Sequence, residues 1–283
     1  MKHRSTILAL AMTAAVLAGV PSPARAASAP VPAPDVRPGT PVRLADVDVD
    51  DTAGSARLGD SLVFTGITNG DQEPWITDGT PEGTHRILDV VPGRNSGAAY
   101  YASFKGRVYF TVFSFEQRVE LWVTDGTAGG TRLVKDIGLS QPRSLTVAGG
   151  LLFFRAETDA NGRELWVSDG TAAGTRLHTE LQPGISSSNV YALTEFGGRV
   201  LFTGNPVANV YKPYVAGPTP GDVARLDVEP IGVDIPVDSF AQVGDRAVFG
   251  AGELWLTRGT LGDARVLKDI DAGGNSDPRY LAT

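Results

Sequence analysis

Beyond residue 42 the chain reads as short apolar runs separated by glycine-containing turn signals, and no stretch carries a helical period. Two-residue turn signals stand at Gly59-Asp60, Lys105-Gly106, Gly149-Gly150, Gly197-Gly198 and Gly244-Asp245. A phenylalanine follows four residues after each pair: Phe64, Phe110, Phe154, Phe202 and Phe249. Glycine-containing pairs between apolar runs suit tight hairpins, whose central residues take positive φ. A second anchor follows each hairpin. Glu120-Leu-Trp-Val-Thr-Asp-Gly-Thr127 recurs as Glu164-Leu-Trp-Val-Ser-Asp-Gly-Thr171 and as Glu73-Pro-Trp-Ile-Thr-Asp-Gly-Thr80. Glu253-Leu-Trp-Leu-Thr-Arg-Gly-Thr260 has lost the Asp, and Lys212-Pro-Tyr-Val-Ala-Gly217 is a decayed copy. The aromatic positions are Trp75, Trp122, Trp166, Tyr214 and Trp255, spaced by 47, 44, 48 and 41 residues.

Each copy accommodates four strands. In the third, strand a covers 144–148, strand b 151–155 and strand c 164–168, and strand d begins at Thr175. A tandem four-strand unit of this length marks a β-propeller blade. One twisted sheet cannot bury both faces alone, whereas neighbouring blades can, and the fixed Phe and Trp positions serve that burial. The expected fold is therefore all-β, a propeller of about five four-stranded blades over residues 42–283. A six-bladed or incomplete propeller and an open β-repeat array are the alternatives. Residues 42–47 resemble strand d of a repeat and 277–283 resemble strand a. These orphan strands are expected at the seam, where an unpaired edge would favour oligomers. The recurrent Glu73, Glu120, Glu164 and Glu253 have two readings: a carboxylate ring, or cross-strand pairs. If Thr124 faces Thr131, Glu120 faces Lys135 and Glu253 faces Lys268.

The repeated string resembles the ELWxxDGT-repeat proteins, an exported bacterial family whose copies continue as GTxLVKDI. Gly130-Thr-Arg-Leu-Val-Lys-Asp-Ile137 matches that tail, and Val266-Leu-Lys-Asp-Ile270 matches part of it. The resemblance implies a β-repeat architecture outside the cytoplasm. It implies no reaction.

Composition narrows the function. Lys2, His3 and Arg4, an apolar run from Ile7 to Val20, and Ala24-Arg25-Ala26 form an export signal over 1–26. The apolar run is too short and wrongly flanked for a stable membrane span, so no transmembrane segment is expected after cleavage. A proline-rich linker covers 27–41. The expected location is secreted, periplasmic or in the bacterial cell envelope. The chain has no cysteine, which removes thiol nucleophiles, thiolate metal sites and disulfides. Its net charge is −7, and the signal removes three further cations, Lys2, Arg4 and Arg25, which argues against a nucleic-acid partner.

No residue set reads as catalytic. The Asp-Gly-Thr turns are short of the Asp-box spacing of sialidase-type propellers. Asp46-Val-Asp-Val-Asp-Asp51 alternates acids like a calcium loop, but Asp51 stands where the turn glycine belongs and Arg57 where the closing glutamate belongs. After the signal only His85 and His178 remain, and no G-x-S-x-G or H-E-x-x-H is present. Neither cofactor nor metal is expected. The leading reading is a non-catalytic exported scaffold that binds a protein or a cell-surface glycan. A sialidase-like or lyase-like carbohydrate-active enzyme and a structural envelope or matrix repeat protein are the alternatives. The b–c and d–a links vary most between copies, so a ligand is expected on their face, at Arg94, Tyr100, Tyr101, Arg118 and Tyr211.

Overall fold

The computed structural model describes residues 43–113, 118–138, 140–207, 210–226, 237–260 and 262–271, with Ser276, Pro278 and Leu281. The export signal, the linker and most of the last strand-like segment lie outside the described residues. What is described is all strand, turn and loop, without a helix.

The strands form five antiparallel sheets, each ordered along the chain. The first blade holds β1 (Asp48–Val49), β2 (Ser55–Leu58), β3 (Ser61–Thr68), β4 (Asp71–Thr77) and β5 (His85–Arg86). The second is β6 (Ala99–Phe104), β7 (Arg107–Phe113), β8 (Val119–Thr124) and β9 (Arg132–Gly138). The third is β10 (Ser140–Ala148), β11 (Leu151–Thr158), β12 (Gly162–Ser168) and β13 (Arg176–Thr179). The fourth is β14 (Tyr191–Phe196), β15 (Arg199–Val207), β16 (Val210–Ala216) and β17 (Val223–Arg225). The fifth is β18 (Phe240–Val243), β19 (Arg246–Ala251), β20 (Glu253–Thr257) and β21 (Arg265–Lys268). Among the described residues the protein is a β-propeller of five blades, four of them four-stranded and the first with its a position filled by two short strands.

Local sequence explains the hairpins. At Lys105-Gly106, Gly149-Gly150 and Gly197-Gly198 both central residues have φ between 51° and 80°, the twist that suits adjacent right-twisted strands. Each hairpin then brings its phenylalanine directly opposite the motif aromatic. The facing pairs are Phe64–Trp75, Phe110–Trp122, Phe154–Trp166, Phe202–Tyr214 and Phe249–Trp255. In the fourth blade the two rings stack at 5.4 Å. This cross-strand pair looks back toward the preceding blade, and the alternate residues look forward. Thus Tyr109, Leu121 and Val123 of the second blade pack on Leu152, Phe154 and Trp166 of the third. Phe153, Leu165 and Val167 of the third pack in turn on Val200, Phe202 and Tyr214 of the fourth.

Four such clusters join the five blades in series. The outward faces of the first and fifth blades belong to none of them. The same repeat position is fully buried at Val108, Leu152 and Val200, yet Leu62 of the first blade is 37% exposed.

The c–d turns are held by a recurring set of bonds. The Asp169 carboxylate accepts from the Thr171 amide at 2.8 Å and hydroxyl at 2.7 Å, and the Ser168 and Thr175 hydroxyls meet at 2.7 Å. Asp78 and Asp125 repeat the arrangement with Thr80 and Thr127. Those bonds hold all three carboxyls below the usual carboxylate range. In the fifth blade Arg258 replaces the Asp, and Asp263 reaches back instead, accepting from the Thr257 hydroxyl and the Arg258 amide. The turns also lock onto the preceding blade: Lys105 donates to the Asp169 carbonyl at 2.9 Å, and Lys135 to the Thr175 carbonyl at 2.6 Å.

Two expectations fail here. Residues 43–47 form no strand d. The chain instead supplies the a position of the first blade twice, because β1 and β2 both pair with β3. The Asp50 carboxylate breaks the strand between them by accepting from the Thr52 and Ala53 amides. The second, third and fourth blades show a smaller version of this break, a register shift at Tyr100, Ser144 and Ala192, each with positive φ. The pairing of Glu120 with Lys135 also fails. Thr124 and Thr131 do meet, at 2.7 Å, but a shift after Trp122 places Asp136 opposite Glu120. Likewise Lys268 faces Leu254, not Glu253.

The turn explains the second glycine of each Asp-Gly-Thr-x-x-Gly string. A Cβ on Gly174 would stand 2.0 Å from the Asp169 carboxylate. Gly174→Ala should therefore cost about 1–3 kcal/mol. In an Asp169→Ala background the same change should cost at least about 0.5 kcal/mol less, measured by a double-mutant cycle in urea. Strict additivity would contradict this account of the turn.

Candidate functional site

The motif glutamates neither ring a channel nor pair with lysine. They staple each blade to the link that leaves it. Glu73 accepts the Val90 amide at 2.9 Å, Glu164 the Leu181 amide at 2.9 Å, and Glu253 the Ile270 amide at 2.8 Å. The offset is seventeen residues each time. A serine completes the device. Ser96, Ser188 and Ser276 each donate to the carbonyl of the residue before the glutamate. The Ser96 and Ser188 carbonyls then accept from Phe113 and Asn205 of the next blade. The staple thus ties strand c of one blade to strand b of its neighbour. Glu164 is the most fully engaged, accepting also from the Gln182 and Ser188 amides and the Ser188 hydroxyl. Burial pushes its carboxyl above the usual range, and these bonds oppose the shift. In the second blade Glu120 accepts instead from the Trp122 indole at 2.8 Å.

The five residues expected to bind a ligand are dispersed. Arg94 is exposed on the first d–a link. Tyr100 is half-buried at a positive-φ position, its amide donating to the Ala53 carbonyl at 2.7 Å. Tyr101 is buried between the first two blades. Its ring stacks on Phe110 at 5.5 Å and its hydroxyl meets that of Thr65 at 2.9 Å, and burial pushes its phenol well up. Tyr101 is therefore a core residue and does not reach the face. The neighbouring Tyr100 takes the bulge, and that extra residue turns Tyr101 inward. Arg118 pairs with Asp136 at 2.7 Å. Tyr211 meets Tyr191 edge-on at 5.8 Å in the fourth blade.

Two surface regions remain. One is the end that carries the b–c and d–a links. Phe113, Ile185, Val207 and Ile270 are all exposed there, Ile185 at 81%. At the opposite end, with the a–b and c–d turns, Val243 is exposed, as are Leu62, Leu133 and Val266 at the turn ends of their strands. The other region is a groove of about 540 Å³ on the outward face of the first blade, lined by Leu44, Val47, Val49, Leu62 and Phe64. Of the two histidines, His85 is exposed on β5, and His178 is buried with its Nε2 at 2.9 Å from the Gly217 carbonyl. Among the described residues no helix is long and apolar enough to cross a membrane.

Comparison with known proteins defines the class of fold and no more. No family model matches the sequence, and no curated protein does. Solved structures do. A chain described under two prolyl endopeptidases is 17% identical with a TM-score of 0.52, over 76% of this chain and 35% of that one. The computationally designed Ika8 protein is 16% identical with a TM-score of 0.50, over 81% of this chain and 64% of its own. TolB from Acinetobacter baumannii is 13% identical with a TM-score of 0.44, over 75% and 55%. The chain thus spans about a third of the prolyl endopeptidase it matches.

Removing the staple should be costly. Glu164→Ala leaves buried donors without an acceptor and should lower the unfolding free energy by about 3 kcal/mol or more. Hydrogen exchange should show the Leu181, Gln182 and Ser188 amides losing protection first. Unchanged protection at those amides would contradict the role assigned to Glu164.

Proposed function

We propose that this chain is a non-catalytic propeller scaffold, exported by its bacterial host, that binds a protein or a cell-surface glycan through the face carrying its b–c and d–a links. The observation that carries this reading is the uneven surface. The c–d turns spend their Asp, Thr and Ser groups on their own loops and on the preceding blade. The link face instead presents exposed Phe113, Ile185, Val207 and Ile270 with half-buried Tyr100 and Tyr211. Aromatic and aliphatic side chains set among variable loops are what a recognition surface needs. The resemblance to ELWxxDGT-repeat proteins supports the same reading, since that family is defined by an exported repeat. The likeness to prolyl endopeptidases is one of fold, and the sequence offers no nucleophile motif to go with it.

A second reading, a self-associating envelope repeat protein, has its own support. The outward face of the first blade leaves Leu62 and Val49 exposed beside an apolar groove, and such a face favours a further blade or another copy.

The test is a glycan array and an envelope-protein pull-down with the mature chain. Ala substitutions at Tyr100, Tyr211 and Ile185 should weaken the captured interaction tenfold or more without moving the melting temperature. Loss of binding on Leu62→Asp alone would favour the seam, and loss on Asp169→Ala would place binding at the wrong end for this reading.

A further inference from the structure

We infer that the first blade holds a divalent cation of the calcium type between Asp71, Glu73 and Asp89. One carboxylate oxygen of each lies within 4.8 Å of one from each of the others. Three acids together prove nothing by themselves. The decisive feature is that Asp71 Oδ1, Glu73 Oε1 and Asp89 Oδ1 are all shielded from solvent and accept no hydrogen bond. Glu73 is wholly buried, so its idle oxygen has no access to bulk water. Buried carboxylate oxygens carry a high cost unless a proton, a donor or a metal meets them. The only cation that the described ion pairs bring to this cluster is Arg86, one charge against three carboxylates. Its guanidinium stands 3.9 Å from Asp71 Oδ2 and 3.8 Å from Asp89 Oδ2, beyond hydrogen-bond length and on the other oxygens.

The repeat supplies an internal control. Asp89 lies sixteen residues after the motif glutamate, and the same place holds Asp136 in the second blade and Glu180 in the third. Asp71 lies two residues before the glutamate, where the second blade has Arg118. In that blade the chain supplies its own cation, with Arg118 Nε 2.7 Å from Asp136. In the third, Glu180 accepts from the Asn161 amide group at 3.1 Å and the Gly184 backbone at 2.8 Å. The first blade has another acid where the second has this arginine, and its Arg86 stands off at 3.8–3.9 Å, which leaves room for a cation from outside the chain.

An all-oxygen donor set selects hard cations. The three carboxylates offer oxygens within 4.8 Å of one another, close enough to share one ion at calcium's bond length of about 2.3–2.6 Å. This differs from the sequence reading, which saw no metal. The acids that drew attention there, Asp46 to Asp51, form a two-residue strand and a capped turn, and the cluster arises elsewhere, between strand c and the d–a link.

The experiment uses the mature chain freed of metal by a chelator. Calcium at a hundredfold excess over its dissociation constant should raise the melting temperature by about 5–10 °C. Terbium should bind at the same place, with luminescence sensitised by Trp75, two residues from Glu73 on β4. Asp71→Asn and Asp89→Asn, shown to be folded by circular dichroism, should lose both responses, while Asp48→Asn keeps them. Asp71→Arg copies the second blade and should melt above the metal-free parent while ignoring calcium. A parent that binds neither ion, or Asp71→Asn and Asp89→Asn variants that bind like the parent, would overturn the proposal.

Discussion

Everything in this fold depends on one contact, the packing of the phenylalanine and motif aromatic of the second to fifth blades against the forward face of the blade before each. A twisted four-strand sheet has two apolar faces and cannot satisfy both alone. Here the facing residues of strands b and c, such as Phe154 and Trp166, look backward, and their neighbours, such as Phe153 and Leu165, look forward. The alternation of side chains along a strand makes one blade both donor and acceptor of the same contact. The turns and the glutamate staple then fix how one blade is set on the next.

The blades were legible because their marks are local. Glycine pairs need positive φ, and Phe and Trp recur at fixed steps, so strand, turn and pairing register between b and c could be read without a structure. The break in strand a was not legible, because nothing in the sequence announces Tyr100 or Ser144 as left-handed residues. That single extra residue buries Tyr101, which exposure-blind reasoning assigned to the surface. The c–d register slipped for the same reason, a bulge beside Trp122 that moves Lys135 off Glu120. The role of Glu164 was hidden because its partners lie seventeen to twenty-four residues away and are mostly backbone amides. The recurring serines could have been noticed. They sit at a nearly constant distance after each glutamate, in links whose other residues vary.

The polar residues of the repeat divide into two kinds. Most are engaged in holding the architecture, as the Asp-Gly-Thr turns and the Glu–Ser staples do, and this removes them from consideration as chemistry. A few break the pattern, and these carry the functional argument: an acid at 71 where a sister blade has arginine, and exposed apolar side chains on links rather than on turns. A scaffold built from copies makes such departures visible, because each blade serves as a reference for the others.

The account's central claim is that four inter-blade interfaces, not five, hold the described blades together. Leu152 and Leu62 occupy the same repeat position, one enclosed between blades and one on the outward face of the first. Urea unfolding of Leu152→Ala and Leu62→Ala compares them directly. Leu152→Ala should cost about 2–5 kcal/mol and Leu62→Ala less than about 1.5 kcal/mol. Equal costs would contradict the claim, and would mean that the outward face of the first blade is covered in solution.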